Sequence, residues 1–416
     1  MSRNGTALRR RRFLRLAGGA SAVGLAGVGS ARQNNIVLGH LAPFSGGLGW
    51  IGPNARKGVG LALSEVNEAG LLDGRQVTIN RQDTETNPQA ALSGFQTLDS
   101  QGVVAIIGPS STVMPNLVQP AQDAQLPLVS TMAGTLQLDD VGGEYIWRTV
   151  PSDSIGGRAQ GAYATDQGWE TMALTFKNDK GSQSFSAAVG EFFQSQGGQI
   201  TGQTPLAPNA DSYRSEINTI RNQNPDVISM TAATEVTSLF VQNFRELGVE
   251  IPLMLSNDVI TPDFIEQMGA DTMDGMLGQA PAPGPAFDNF ASKYQEMHGE
   301  QPGTFSGSSY DAMNLIALAM ERAGEASRQA IAQNLRSVGA PPGQKVTTFA
   351  EGKQALANGS EIDYQGAANP QNFDENGNVV GPFSVVRVEN GEWTEVETFS
   401  ASELTQDGGG ATTTTS

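Results

Sequence analysis

The stretch IVLGHLAPFSGGLGWIGPNARKGVGLALSEVNEAGLLDGRQVTINR, residues 36–81, contains one complete unit of the fold. It opens with an apolar run, Ile36–Leu41, and passes through a glycine-rich loop into a helical pattern whose first residue is Pro53. A second apolar run, Gln76–Arg81, follows the helix. Strand, helix and strand in this order predict a parallel sheet that is covered by helices.

The same order of elements repeats as far as about residue 280. Seven further apolar runs are Val103–Ile107, Leu126–Ser130, Thr171–Phe176, Gln199–Thr204, Asp226–Thr231, Pro252–Ser256 and Gly275–Gly278. Amphipathic stretches lie between them, and one of these places five residues on a single helix face: Leu239, Phe240, Asn243, Phe244 and Leu247. The repetition predicts an α/β protein built from doubly wound parallel sheets.

Nine strands are many for one open sheet, and the pattern breaks near Pro151 and Ser152-Asp153. We therefore expect two lobes. The N-terminal lobe comprises residues 32–150 plus about 280–345, and the C-terminal lobe comprises residues 151–279 plus about 346–400.

The last part of the chain changes character. Asn376-Gly377 and Asn390-Gly391 lie between β-rich runs and predict hairpin turns. Residues 401–416 end in the low-complexity sequence DGGGATTTTS, which predicts a disordered tail.

Composition excludes several classes of function. The formal net charge is −18, and removal of residues 1–31 takes away six arginines and brings it to −24, so binding to nucleic acid or anionic lipid is disfavoured. The acidic excess with only six lysines is typical of a halophilic protein. The chain has no cysteine, and its two histidines, His40 and His298, are far apart in sequence. We expect no disulfide, no metal, no cofactor and no catalytic centre.

The N-terminus is typical of a twin-arginine export signal. Arg10-Arg11 precede Phe13-Leu14, and a Gly/Ala-rich segment then ends in small residues at Ala31. We expect residues 1–31 to be this signal and the protein to be exported, outside the cell or at the outer face of its membrane. No cysteine follows to carry a lipid.

The loop of the first unit contains G-x-G-x-x-G at Gly47, Gly49 and Gly52. A dinucleotide site needs its first glycine at the strand end and an acid about 20 residues later. Here a longer loop intervenes, and the next acid at a strand end is Asp83. We prefer a loop that wraps a small ligand with Trp50 and Ile51; the alternative is that Trp50 covers the core.

Two other loops carry polar groups suited to a small charged ligand. Ser111 and Thr112 follow Gly108-Pro109 at an expected helix start, where hydroxyls and free amides suit a carboxylate, although they also suit an ordinary helix cap. Asp258 follows a strand and is suited to pairing with an ammonium. Its alternative role is to cap the helix near Pro262.

In order and spacing, these loops resemble those of the leucine/isoleucine/valine-type solute-binding proteins of ABC importers. HLAPFSGGLGWIG, VVAIIGPSSTVMPNLVQPAQDAQLPLVST, SSYDAMNLIALAME and DENGNV are among the segments that carry the resemblance, which runs from about residue 35 to 399. It implies a type I periplasmic binding protein fold, with two lobes joined by a three-segment hinge and a ligand in the cleft between them.

The resemblance also implies roles for individual residues. Ser111 and Thr112 match hydroxyls that hold a ligand carboxylate, Asp258 matches the acid that holds the ammonium, and Tyr310 matches an aromatic residue that also suits packing. The other expected binding residues are Met132, Gly134, Thr135, Lys180 and Ala233. All of these except Met132 depart from the family pattern and suggest an altered side-chain pocket. A ligand other than leucine, isoleucine or valine is therefore compatible with the site.

The function implied is capture of an amino acid, or a similar small polar solute, for the membrane subunits of an ABC permease. We expect a monomer that is not an enzyme. The alternatives are a ligand-sensing module that partners a membrane receptor and, less favoured, a secreted enzyme, for which the sequence offers no G-x-S-x-G elbow and no metal-ligand spacing.

Overall fold

A computed structural model describes residues 35–405. The predicted export signal, residues 1–31, lies outside the described residues, as do residues 406–416 of the predicted tail. Residues 401–405 form a short helix, so the tail prediction is wrong for them.

The first unit folds as its sequence predicts. Strand β1 (Ile36–Ala42) leads through a loop to helix α1 (Gly52–Ala69), which begins one residue before Pro53. Gly70 follows the last residue of the helix, and its φ of 72° is a left-handed value that glycine adopts readily. The return strand β2 (Val77–Asp83) pairs with β1 in parallel, with Ile36 opposite Val77.

The first sheet has five parallel strands in the order β2-β1-β3-β4-β5. The three later strands are β3 (Ile106–Ser110), β4 (Leu128–Met132) and β5 (Ile146–Arg148). Strand β5 was not predicted, because three buried residues are too few to produce a recognisable apolar run.

Seven helices belong to the same part of the structure as this sheet. Besides α1 they are α2 (Pro88–Ser100), α3 (Val118–Asp123), α10 (Phe287–His298), α11 (Ser306–Ala323), α12 (Arg328–Gly339) and α13 (Phe349–Ala357). A small parallel pair, β11 (Gln344–Val346) and β12 (Ile362–Tyr364), lies beside them.

The second sheet has seven strands in the order β14-β13-β10-β9-β8-β6-β7. Five of its strands are parallel: β6 (Thr171–Lys177), β7 (Gln199–Leu206), β8 (Val227–Thr231), β9 (Leu253–Leu255) and β10 (Leu277–Pro281). Strands β13 (Phe383–Glu389) and β14 (Glu392–Phe399) add an antiparallel edge. Asn390 and Gly391, both at positive φ, make the predicted turn between them.

The helices of the second sheet follow the predicted alternation. They are α4 (Asp153–Asp166), α5 (Lys180–Ser195), α6 (Arg214–Asn222), α7 (Thr234–Glu246), α8 (Pro262–Met268), α9 (Ala270–Met273) and α14 (Ala401–Thr405). The predicted face of α7 packs inward, with Phe240, Asn243 and Phe244 buried.

Each sheet has its own hydrophobic cores, and we propose a division into two lobes that follows them. Residues 36–147 and 286–379 pack on the first sheet, and residues 155–277 and 383–404 pack on the second. The expected boundary near residue 345 does not match this packing, because Val346, Phe349 and Ile362 are buried in the core of the first sheet. The chain passes three times between the two sets of cores, as the resemblance implies.

Helices α1 and α11 pack closely at Gly58, where α1 has no side chain. A Cβ atom on Gly58 would lie 2.0 Å from the backbone oxygen of Ser306, whereas a Cβ on Gly60 would meet nothing within 4 Å. We expect Gly58→Ala to lower the free energy of unfolding by about 1–3 kcal/mol through overpacking. Gly60→Ala, in the same helix, should leave it unchanged or raise it by up to about 1 kcal/mol. Urea unfolding of both variants checks this, and equal effects would contradict it.

Candidate functional site

The carboxyl ends of the first sheet bring the predicted loops together. Strands β1, β3 and β4 end at Ala42, Ser110 and Met132, and the loops that follow contain most of the predicted first-lobe residues. In open parallel sheets this edge is where ligands bind. The loops that the sequence singled out therefore lie together at one edge of the first sheet.

The first loop is held firmly, although it is rich in glycine. Asp83 accepts hydrogen bonds from the backbone nitrogens of Phe44 (3.0 Å) and Ser45 (3.2 Å), and from the Ser45 hydroxyl (2.7 Å). Burial of Asp83 opposes its charge, but these hydrogen bonds outweigh burial and lower its pKa. Trp50 is 42% exposed and so does not cover the core, while Ile51 is buried against Met132.

The second loop differs from its prediction. Ser111 and Thr112 are half-buried in a turn that leads into a 3₁₀ turn, Met114–Asn116, and then into the six-residue helix α3. The expected helix start at the two hydroxyls is therefore wrong. Ser110, which was not among the predicted site residues, is 2% exposed, and its hydroxyl has no hydrogen-bond partner among residues 35–405. Three successive hydroxyl residues therefore lie at the end of β3.

The third loop contacts the second lobe. Its Met132 and Thr135 are buried. The backbone oxygen of Gly134 accepts a hydrogen bond from the backbone nitrogen of Asp153 at 2.7 Å, and Leu136 donates to the Ser184 hydroxyl at 3.1 Å. A Cβ on Gly134 would lie 2.1 Å from an Asp153 carboxylate oxygen, so any other residue here would displace that carboxylate.

A buried arginine fixes this third loop from below. Arg148 is 1% exposed, donates to the backbone oxygens of Gly134 and Thr135 (both 3.1 Å), and forms an ion pair with Asp139. The Ser152 hydroxyl also donates to Asp139, at 2.8 Å. Because the Arg148 charge is paired with Asp139, the role of Arg148 is to hold the loop in position.

The second lobe contributes Asp258 from the 3₁₀ turn Asn257–Val259, directly after β9. Its carboxylate is half-buried and accepts a hydrogen bond from the Ser256 hydroxyl at 3.1 Å. Burial raises the pKa of Asp258, and the nearby charge of Asp179 adds to this effect. The alternative role as a cap of α8 is excluded, because Thr261 provides that cap through a bond from the Phe264 nitrogen.

Two other predicted residues of this lobe lie at helix starts. Lys180 is the first residue of α5 and is exposed, and Ala233 precedes α7 and is half-buried. Tyr310 lies elsewhere. It is 1% exposed, packs against Phe290 in the core of the first lobe and donates a hydrogen bond to Glu65 at 2.6 Å. Tyr310 is therefore a packing residue in this structure, because α11 turns it toward the core.

Asp153, the first residue of α4, was not among the predicted site residues. Its half-buried carboxyl lies close enough to Asp258 and Asp139 to interact with both charges. Burial raises the pKa of Asp153 to about 7, although the Ser184 hydroxyl and Arg148 oppose the shift. The only signal in the sequence was the Pro-Ser-Asp at the lobe boundary, which we interpreted as an interruption of the pattern.

Among the described residues there is no group of three or more His, Cys, Asp or Glu residues that could hold a metal ion. His40 is fully buried with its ring against Phe44, and burial lowers its pKa to about 3, so the imidazole is neutral near pH 7. From residue 35 to 405, no helix has the length and apolar character required to cross a membrane.

Comparison with known proteins agrees with this architecture. The profile of a family described as periplasmic binding proteins matches residues 35–392. A relative from Halobacterium salinarum, the chemotactic signal transduction system substrate-binding protein BasB, is 26% identical over 350 residues, which are 80% of this chain and 82% of the relative.

Two solved structures are similar in fold. A leucine binding protein from Thermotoga maritima has a TM-score of 0.72 at 20% identity, covering 88% of this chain and 99% of that one. A solute binding protein of an ABC transporter from R. palustris, in complex with benzoate, also has a TM-score of 0.72, at 16% identity, covering 88% and 96%. The predicted α/β fold of the type I periplasmic binding proteins is thus confirmed.

Proposed function

This chain belongs to the periplasmic binding protein family, and from that premise we propose that it captures an amino acid, or a similar small polar solute, and delivers it to an ABC permease. Proteins of this family are binding proteins that work with ABC permeases or chemotaxis receptors. Of the two similar structures, one is a leucine binding protein and the other is in complex with benzoate, so the ligand class stays open.

The observation that carries the proposal is the position of Asp258. Its half-buried carboxylate stands at the carboxyl edge of the second sheet, and within residues 35–405 it accepts one hydrogen bond, from the Ser256 hydroxyl. At the corresponding edge of the first sheet lie the hydroxyls of Ser110, Ser111 and Thr112. An acid on one lobe and hydroxyls on the other suit the ammonium and carboxylate of an amino acid, which would form charge-assisted hydrogen bonds with them.

The remaining predicted residues suit the side chain of such a ligand. Trp50 offers an exposed aromatic face on a loop held by Asp83. Binding between the lobes would favour a closed arrangement, because the ligand contacts both lobes only when they approach. A permease could then distinguish loaded from empty protein. We propose that the protein acts as a monomer and catalyses no reaction.

A second candidate function keeps the site and changes the partner. The relative from Halobacterium salinarum is named as a component of chemotactic signal transduction. In this second function, the solute-loaded protein binds a membrane receptor, and the receptor signals that the solute is present. Loss of solute uptake on deletion of the gene favours the permease, whereas intact uptake with loss of taxis favours the receptor.

We propose further that the protein works outside the cytoplasm in high salt. The twin arginines Arg10-Arg11 support export, and the net charge of −18 with few lysines supports a halophilic surface. A fusion of residues 1–31 to a reporter protein tests the first point: export that stops on Arg10→Lys with Arg11→Lys is expected, and export that persists contradicts the signal.

The function is tested by calorimetric titration in multimolar salt. The protein is unfolded and refolded to remove any carried ligand, then titrated with the twenty amino acids, urea, short amides, benzoate and other small acids. We expect one class of amino-acid-like solute to bind with unit stoichiometry and to remain chemically unchanged. Turnover of the solute would establish an enzyme, and silence across the whole panel from folded protein would overturn solute capture.

A further inference from the structure

One exposed turn of the first lobe carries a motif that solute capture does not use. Residues Asn358-Gly359-Ser360 form a sequon, which is an asparagine followed by any residue except proline and then by serine or threonine. The sequence has one other sequon, at Asn4, within the predicted export signal. In an exported protein, a sequon that lies at the surface is an acceptor for N-linked carbohydrate.

The turn after α13 presents this sequon to solvent. The helix ends one residue before Asn358, and Asn358 and Gly359 are both exposed. The backbone nitrogen of Ser360 donates to the Ala355 oxygen at 3.0 Å, and that of Gly359 donates to the Leu356 oxygen at 2.9 Å. These two bonds make a Schellman motif, in which Gly359 has a φ of 80°. Because backbone atoms alone close the turn, it does not depend on the side chains of the sequon.

Both polar side chains of the sequon are available to an enzyme. Within residues 35–405, neither the exposed Asn358 amide nor the half-buried Ser360 hydroxyl takes part in a hydrogen bond. Asn87 is also exposed but is engaged, because its side chain accepts from the backbone nitrogens of Gln89 and Ala90 and caps α2. An enzyme could therefore bind the amide and the hydroxyl of the sequon without breaking a hydrogen bond of either group.

The sequon lies at the end of the first lobe that is remote from the candidate site. Helix α1 starts at the carboxyl edge of the first sheet and runs for 18 residues, about 27 Å, toward the opposite edge. At that far end, Lys353 of α13 donates to the backbone oxygen of Ala69 at 3.0 Å. Glu361, which directly follows the sequon, pairs with Arg322 near the end of α11 (2.9 Å). Carbohydrate on Asn358 would therefore stand clear of the candidate site.

We propose that Asn358 is N-glycosylated after the protein leaves the cytoplasm. The inference goes beyond solute capture and rests on the proposed export. The Asn358 amide nitrogen forms a bond to C1 of an oligosaccharide that is linked through phosphate to a lipid. The C1–O bond to the phosphate breaks, the lipid phosphate leaves with the electron pair, and the amide gives up one proton. The Ser360 hydroxyl lets the transferring enzyme distinguish Asn358 from other exposed asparagines, because the sequon requires a hydroxyl there.

The test is mass spectrometry of the protein collected from outside the cells that make it. We expect the wild type to be heavier than its polypeptide, with the added mass of an oligosaccharide on the peptide that contains Asn358. Asn358→Gln and Ser360→Ala should each lose this mass completely, whereas Ser360→Thr keeps the hydroxyl and should retain it. Asn390→Gln is the matched control, because Asn390 is exposed and is also followed by glycine, but Glu392 stands at the third position. This control should carry the same added mass as the wild type.

The outcomes separate this inference from the proposed function. Exported wild-type protein whose Asn358 is unmodified, or only deamidated, would overturn glycosylation and leave export standing. Carbohydrate that remains on Asn358 in Ser360→Ala would overturn recognition of the sequon. Unmodified wild-type protein found only inside the cells would overturn both glycosylation and export. Solute capture is decided separately by titration, in which Asn358→Gln should bind within about twofold of the wild type, because surface changes away from the site have small effects. Thermal unfolding checks that each variant is folded.

Discussion

Replacement of Asp258 by alanine is expected to weaken binding of the amino-acid ligand from about 30-fold to several thousand-fold. The reason is that the ligand ammonium would be desolvated on closure and left without its charged partner. Truncation of one member of a buried charge pair costs about 2–5 kcal/mol, and each 1.4 kcal/mol is tenfold in affinity. Calorimetric titration with the tightest-binding amino acid measures the loss.

Two matched variants control this result. Asp263→Ala removes an exposed acid five residues along the chain and should leave the affinity within about twofold, since surface changes are small. Ser256→Ala removes only the 3.1 Å hydrogen bond to Asp258 and should cost about 0.5–1.5 kcal/mol, an intermediate loss. If Asp258→Ala binds as tightly as Asp263→Ala, the ammonium is held elsewhere.

Much of the fold follows from local pattern in the sequence. Each of the nine predicted apolar runs overlaps a strand, because buried parallel strands produce continuous apolar segments that flanking helices separate. The exceptions are short or depend on distant contacts. Strand β5 (Ile146–Arg148) is too short to show a pattern, and Val346 and Phe349 belong to a core that also contains residues some three hundred positions earlier.

The residues of the candidate site also include some that local pattern predicts and some that depend on distant contacts. Residues in the loops that follow a strand, such as Ser111 and Asp258, could be predicted because every parallel strand ends at the same edge. Asp153 could not be predicted, since its importance comes from burial beside Asp258, which is a hundred residues away in sequence. Tyr310 was assigned from resemblance alone, and only the packing of α11 shows that it points into the core.

Asp311 illustrates a buried acid whose role is structural. It is 0% exposed, and one oxygen accepts hydrogen bonds from the Ala367 nitrogen (2.7 Å) and the Tyr364 hydroxyl (3.0 Å). The other oxygen accepts from the Ala368 nitrogen (2.8 Å) and the Gln371 amide (3.2 Å). These four donors belong to the segment that leads from the first lobe into its last crossover to the second.

Asp311→Ala is expected to lower the free energy of unfolding by about 3–5 kcal/mol, because it leaves several buried donors without an acceptor. Asp288→Ala removes an exposed acid of the same lobe and should change it by less than about 0.5 kcal/mol. Urea unfolding measures both. A loss for Asp311→Ala no larger than for Asp288→Ala would show that the segment does not depend on this carboxyl.

The pH dependence of this effect has a definite sign. Burial raises the pKa of Asp311 to about 7, even though its four hydrogen bonds oppose the shift. The folded protein holds this proton more tightly than the unfolded chain, whose aspartates titrate near pH 4. The stabilisation from Asp311 is therefore complete below about pH 4, and it is lost as pH rises through 7. Asp311→Asn cannot titrate, so the difference in unfolding free energy between wild type and this variant should shift in favour of the variant from pH 5 to pH 8. A difference that stays constant across this range would mean that the pKa of Asp311 is not raised, because its hydrogen bonds offset or outweigh its burial.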